Sequence, residues 1–305
     1  MEILRDIGEH GFIRAIREKF PMALCGDDAA VLSPLAAPVI TTDSFFQGTH
    51  FHQWWTSPEK LAVRLLEAAL SDIAAMGAKP VCVLSSVMLS PEMEVSLLMD
   101  FYKGLTSRND CPVVGGETIR GPLFGITLTA VGDCGCMKPF RRNAVKPGDS
   151  LWVTGPIGRS LQAPELLEKG RNGILSDIER NQVELFLAPA ARFDVLHDLR
   201  RAGVKAAIDI SDGLFSECSH LSRESSVRIS IEINSVPLVP FARNNPLGAC
   251  SAGEDFELLF ALPAGAPSPG EKYFQIGSAS LGEGCSVTAN GKPVEMQLLG
   301  YDHFF

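Results

Sequence analysis

Residues 57–77 read SPEKLAVRLLEAALSDIAAMG, a helix that carries its own punctuation. Ser57 and Pro58 open the first turn, Gly77 ends it and Pro80 lies just beyond. At about 100° per residue, Leu61, Leu65, Ala69 and Met76 form one apolar stripe, with Arg64, Glu67 and Ser71 on the other side. A helix this long and one-sided must lie against another layer of structure. Asp72 falls inside the stripe, three residues after Ala69. An unpaired carboxylate facing a core costs several kcal/mol, so it must neutralise, pair or bind a cation. A buried Lys or Arg is one partner. A divalent cation is the other, and the remaining acids of the chain favour it.

Around this helix, short apolar runs alternate with helical patterns. AAVLSP and APVITTDSFF read as strands, as do VCVLSSVML, CPVVGGE and FGITLTAVG, and a second helix opens at SPEMEVSLLMDFYKGL. The polar stretch MKPFRRNAVKPGD marks a boundary near residues 138–149, between an N-terminal domain, 1–138, and a C-terminal domain, 139–305. The second half opens on the strand SLWVTG, followed by helices near 161–170 and 178–202. Then come the strand KAAIDI, a helix from Leu214 to Arg223, the strands RISIEI and DFELLFAL, and the loop PAGAPSPGEK. The expected fold class is α+β: two domains, each a mixed β-sheet flanked by helices.

The chain carries 36 acidic and 27 basic side chains, a net charge of −9, and no Lys/Arg block. That excludes nucleic acid as the main partner, since phosphate neutralisation requires a basic face. No apolar run reaches the roughly 18 residues of a membrane span, and the N-terminal helical pattern mixes acids with bases, unlike a secretory leader. The eight cysteines have no framework spacing, which reads as reduced thiols in a cytoplasm. Zinc at Cys134 and Cys136, or at the i, i+2 pair His50 and His52, is the lesser alternative.

Acids recur at the ends of apolar runs: Asp27 and Asp28 in CGDDAAV, Asp43 in ITTDSF, Asp72, and Glu117 in VVGGET. The second half adds Asp209 and Asp212 in IDISDGL, then Glu254 and Asp255 in SAGEDFEL. Taken singly, Asp27-Asp28 could be a turn and Asp212-Gly213 a helix cap. Taken together they form a set of hard oxygen ligands suited to Mg²⁺ and to phosphates held through it. No P-loop and no G-x-G-x-x-G is present, though VTGPIGRS could cradle a phosphate and Arg142 could clamp one. The terminal GYDHFF carries Tyr301, Phe304 and Phe305, an aromatic tail suited to packing or to walling a flat ligand.

GDDAAV, TTDSFFQGTHF, ALSDIAAMGAKP, VVGGET, RRNAVKPGD, VTGPIG, IDISDGL, SAGEDFELLF and GYDHF occur in this order in the chain. In this the chain resembles the thiamine-monophosphate kinase family, within the superfamily of aminoimidazole-ribonucleotide synthetase and selenophosphate synthetase. The resemblance implies transfer of the ATP γ-phosphoryl group to thiamine monophosphate with Mg²⁺, giving thiamine diphosphate and ADP. It also implies a cytoplasmic homodimer whose N-terminal sheets pair. By motif it implies metal ligands at Asp28, Thr41, Thr42, Asp43, Asp72, Glu117, Asp209 and Asp212, with Asp28, Asp43, Asp72 and Asp212 central to catalysis. Arg142, Gly116, Glu117 and Ser211 fall to ATP, and His50, Glu254 and Tyr301 to thiamine phosphate. The chain departs from the family pattern at Ala69, Glu117 and Ala252. The alternatives are another ATP-dependent synthetase of the superfamily, or a non-catalytic binder of nucleotide or thiamine phosphate.

Overall fold

The computed structural model describes residues 2–20 and 28–295. The chain divides into two compact units after Met137, with Ala74–Gly77 grouped in the second. The first unit contains α1 (Leu4–Lys19), β1 (Pro38–Phe46), α2 (Pro58–Ala75), β2 (Lys79–Leu89), α3 (Val95–Leu105), β3 (Val113–Arg120) and β4 (Gly125–Asp133). Its four strands lie in the order β1-β4-β2-β3; β2 and β3 are parallel, and the other pairs are antiparallel.

The pleat of β1 sorts its side chains strictly. Val39, Thr41, Asp43 and Phe45 are half-buried, whereas Ile40, Thr42 and Ser44 are exposed on the opposite face. α2 lies on the half-buried face. A Cβ at Gly132 of β4 would stand 2.5 Å from Ile73 Cγ2, so glycine is what permits this approach.

α2 is buried on more sides than its sequence suggests. The stripe residues Leu61, Leu65 and Ala69 are buried as expected, but so are Arg64, Glu67 and Ser71 of the polar side. The segment after α3 supplies a polar cover there: Arg108 pairs with Glu67 at 2.8 Å. Asp72 itself is only half-buried.

Two other expectations for this unit change. AAVLSP is not a strand; Ala30, Leu32 and Leu35 pack as irregular chain against Cys82, Val114 and Val131. α3 starts at Val95, about one turn later than Ser90-Pro91 implied. The carbonyls of Pro91 and Met93 instead accept the amides of Arg5 and Leu4 at the start of α1, both at 3.0 Å.

The second unit contains β5 (Ser150–Val153), α4 (Ala163–Asn172), α5 (Asp177–Leu187), α6 (Leu196–Arg201), β6 (Ala206–Asp209) and α7 (Leu214–Ser225). It continues with β7 (Val227–Glu232), α8 (Pro246–Ser251), β8 (Leu258–Leu262), β9 (Phe274–Leu281), β10 (Cys285–Ala289) and β11 (Lys292–Val294). The sheet runs β11-β10-β7-β9-β5-β8-β6, with only the β7–β10 pair parallel.

β6 and β8 are buried along their whole length because both sheet faces are covered. Ile208, Leu259 and Ala261 pack with Phe215 and Leu221 of α7, while Ala207, Leu258 and Phe260 pack with Leu196 and Leu199 of α6. Ala75 and Phe140 join the α6 side, and the Phe140 amide donates to Met76 O at 2.9 Å. These contacts place the end of α2 in this unit.

The single helix expected over 178–202 is two helices. Pro189, which cannot continue α5, lies between them.

Candidate active site

In the first unit the pleat and the helix bring two acids together. Thr41 and Asp43 project from one face of β1, and the Thr41 hydroxyl donates to Asp72 Oδ2 at 2.5 Å. Burial and the neighbouring Asp72 carboxylate push Asp43 up from 3.8 to about 7. Two carboxylates and a hydroxyl so close suit a hard cation that relieves their repulsion. Among the described residues no three His, Cys, Asp or Glu side chains gather for a metal. An acid pair still fits Mg²⁺, which keeps waters and phosphate oxygens in its shell.

Two residues assigned to the metal fall elsewhere. Thr42 lies on the exposed face of β1 and bonds Thr129 Oγ1 at 3.2 Å. Glu117 is in register with Ser86, one residue on from the Ser85–Leu128–Asp43 row, so its side chain is on the face opposite Asp43. The cause is the two-residue period of the strand, which the motif alone does not display. Asp28 is exposed in a bend, and Asp27 and Tyr301 lie outside the described residues. Gly116 packs under Ser85, whose carbonyl oxygen a Cβ would approach to 1.8 Å.

His50 and His52 lie in the turn after β1 rather than on a strand, so the two-residue strand alternation does not align them. The Phe46 amide donates to His50 Nδ1 at 3.0 Å, which leaves the ring proton on Nε2, while His52 stacks on Trp54. Cys134 is buried and Cys136 exposed, and the described cysteines are all free thiols.

In the second unit three motif loops interlock. Asp209, 3 % exposed, ends β6, and Ser211 and Asp212 follow half-buried. The N-cap of α7 is Gly213, so Asp212 stands one residue outside the helix; its amide donates to Glu217 Oε1 at 3.2 Å. The amides of Glu254 and Phe256 donate to the carbonyls of Ser211 and Ile210 at 2.7 and 2.9 Å. Two amides of the glycine loop VTGPIGRS are already engaged. Those of Gly158 and Arg159 donate to the Asp255 carboxylate at 2.8–2.9 Å. Arg142 starts a 3₁₀ turn with an exposed side chain, while its carbonyl accepts from Ser225 Oγ at 2.7 Å.

The Asp43–Asp72 pair gives stability a definite pH dependence. A carboxyl raised to about 7 keeps a proton in the folded chain that the unfolded chain has released, so stability falls as pH rises from about 4 to 7. Metal-free protein is expected to melt lower at about pH 8 than at pH 5.5, and Mg²⁺ to raise the Tm more at the higher pH. Asp255, also raised to about 7, adds a fall of the same sign. The Asp43→Asn variant is therefore the test: it should lessen both the slope and the Mg²⁺ increment. An unchanged increment removes Asp43 from the metal.

Residues 26–134 match the family described as AIR synthase related protein, N-terminal domain. The thiamine-monophosphate kinase of Aquifex aeolicus is 31 % identical over 313 residues, covering 99 % of each chain. A solved structure of AaThiL complexed with AMPPCP and TMP superposes with a TM-score of 0.79 at 30 % identity, covering 100 % of this chain and 99 % of that one. The hydrogenase maturation protein HypE of E. coli shares the fold, with a TM-score of 0.75 at 18 % identity over 98 % of this chain and 99 % of that one. At that level of identity along its whole length, the chain belongs to the thiamine-monophosphate kinase family.

Proposed function

We propose that this protein transfers the γ-phosphoryl group of ATP to thiamine monophosphate, releasing ADP and thiamine diphosphate. The observation that carries this reading is the Thr41–Asp43–Asp72 arrangement, in a chain matched end to end by kinases of that name. The acceptor is a phosphate oxyanion, so the enzyme needs little general-base help. Positioning and charge neutralisation do most of the work. Asp43 and Asp72 would hold Mg²⁺, with Asp28 alongside; by their motif Asp209 and Asp212 are proposed as metal ligands too. Held there, Mg²⁺ would supply the charge that neutralises the oxygens of the two polyanions.

The chain's own residues do the rest. Thr41 fixes the Asp72 carboxylate by donating to one of its oxygens. His50, with its proton on Nε2, is a proposed donor to the thiamine phosphate; by their motifs Glu254 and Tyr301 are proposed for the same ligand. By their motifs Ser211, Gly116 and Arg142 are proposed for ATP.

The protein acts in the cytoplasm, a reading supported by its free, mostly buried thiols. No helix among the described residues is long and apolar enough to cross a membrane. It works as a homodimer through the exposed face of the four-stranded sheet, where Ile40 is 70 %, Ile119 44 % and Leu84 37 % exposed. Light scattering should therefore give the mass of two chains.

The decisive experiment incubates the purified protein with ATP, Mg²⁺ and thiamine monophosphate and quantifies both products. Equal ADP and thiamine diphosphate, dependent on Mg²⁺, is the expected result. ADP alone points to another substrate of the superfamily. Binding without either product makes the protein a non-catalytic binder.

A further inference from the structure

The segment that carries Glu254 is strained and held from two sides. Glu254 and Phe256 have φ of 59° and 54°, left-handed values that non-glycine residues rarely adopt. Such a backbone persists only where its surroundings over-determine it. On one side the amides of Glu254 and Phe256 bond the 210–211 carbonyls, as described above. A Cβ at Gly253 would approach Ser211 O to 2.3 Å, so the two loops touch backbone to backbone.

The other side is a latch of buried acids. Asp255, 1 % exposed, accepts the amides of Gly158 and Arg159. Glu257, 2 % exposed, accepts Thr154 Oγ1 and Arg159 Nη2, both at 2.6 Å. Ser160 Oγ donates to Gly253 O at 2.6 Å, directly before Glu254. The acids at 255 and 257 thus point into the unit and grip the loop 154–160, while Glu254, between Gly253 and Asp255, is half-buried.

We infer that Asp255, assisted by Ser160, is a positioning residue: it fixes the 154–160 loop beneath the strained turn and so sets the direction of Glu254 toward the thiamine phosphate. The assignment rests on Glu254 being a substrate contact, as proposed above. The loop that reads in sequence as a phosphate cradle acts instead as the anchor of a substrate-facing acid. An Asn at 255 keeps the volume and one accepting oxygen, but it loses the carboxylate charge and sets an amide donor against the Gly158 amide that Oδ2 now accepts, so the fastening of the turn weakens.

The test uses the full chain and measures binding of thiamine monophosphate and of a non-hydrolysable ATP analogue by calorimetry with Mg²⁺, together with Tm. Asp255→Asn is expected to weaken thiamine monophosphate about tenfold while changing the ATP analogue less than about twofold. Ser160→Ala, a milder cut, is expected to weaken thiamine monophosphate about threefold at unchanged Tm. Equal weakening of both ligands by Asp255→Asn, in step with a lower Tm, overturns the assignment and leaves a purely structural carboxylate. Should that variant not fold, Ser160→Ala decides: a selective loss supports the latch, and no change overturns it. Glu254→Gln separates the two readings. If it leaves thiamine monophosphate binding intact, the role of Glu254 fails and the latch with it. If it weakens binding while the other two variants do not, the latch alone fails.

Discussion

Asp72→Asn is expected to lower kcat by at least about 10²–10³-fold, the scale seen when one preorganised electrostatic group is removed from a transition state. The substitution keeps the side-chain volume and an oxygen able to accept from Thr41, so the fold should persist. The like-charge repulsion with Asp43 also disappears. Asp43 should then ionise more easily and the metal-free protein should gain stability, even as the enzyme loses activity. Opposite movements of activity and Tm are the signature of an acid kept for a cation. If turnover stays near normal, Asp72 is not part of the metal site. If Tm and activity fall together, Asp72 serves the packing of α2 on β1.

The second large effect concerns stability. Glu257 lies almost wholly buried between two arginines: Arg159 pairs with one oxygen at 2.6 Å, and Arg192 with the other. Arg192 also pairs with Asp194 at 2.9 Å. Arg192→Ala leaves one oxygen of a buried carboxylate without its cation. Breaking such a pair costs about 3–5 kcal/mol, and the remaining Arg159 and Thr154 bonds put the expected loss near 3 kcal/mol. Chemical denaturation measures it directly. A loss below about 1 kcal/mol would mean that water reaches Glu257 once Arg192 is gone. Arg192→Lys should recover only part of the loss, because an ammonium cannot serve both Glu257 and Asp194 with the planar fork of a guanidinium.

The elements with strong periodicity were legible from the residues: α2 with its end signals, α7, and the apolar runs of β2, β4, β5, β6 and β8. The missed strands have an evident reason. β9 reads FQIGSASL with two of eight positions buried, and β10 and β11, of five and three residues, are too short for a period to stand out, although Cys285, Val287 and Ala289 alternate onto the core. AAVLSP failed in the opposite sense. It is apolar enough for a strand, but its residues pack against a sheet without pairing to it. The start of α3 was displaced because the carbonyls of Pro91 and Met93 are used by α1, a partner some 90 residues away in sequence. The polar side of α2 misled for a related reason. Arg64, Glu67 and Ser71 read as solvent-facing, and only the packed chain covers them.

The site divides in the same way. By itself the sequence determined that this chain collects acids at the ends of apolar runs and that one of them, Asp72, points from a helix face built for packing. It also determined, through its ordered motifs, the family to which the chain belongs. Those properties are local: a residue's type, its spacing and its place in a period are all written in consecutive positions. Tertiary structure alone decided which acids meet. The pleat of β1 put Asp43 beside Asp72 and turned Thr42 away, and the register of β3 sent Glu117 to the opposite face. Folding also turned a loop that reads as a phosphate cradle into the fastening of Asp255. Each of these depends on which backbone amide, face or neighbouring strand a side chain finds after folding, and contacts of that kind leave no periodic trace in the sequence.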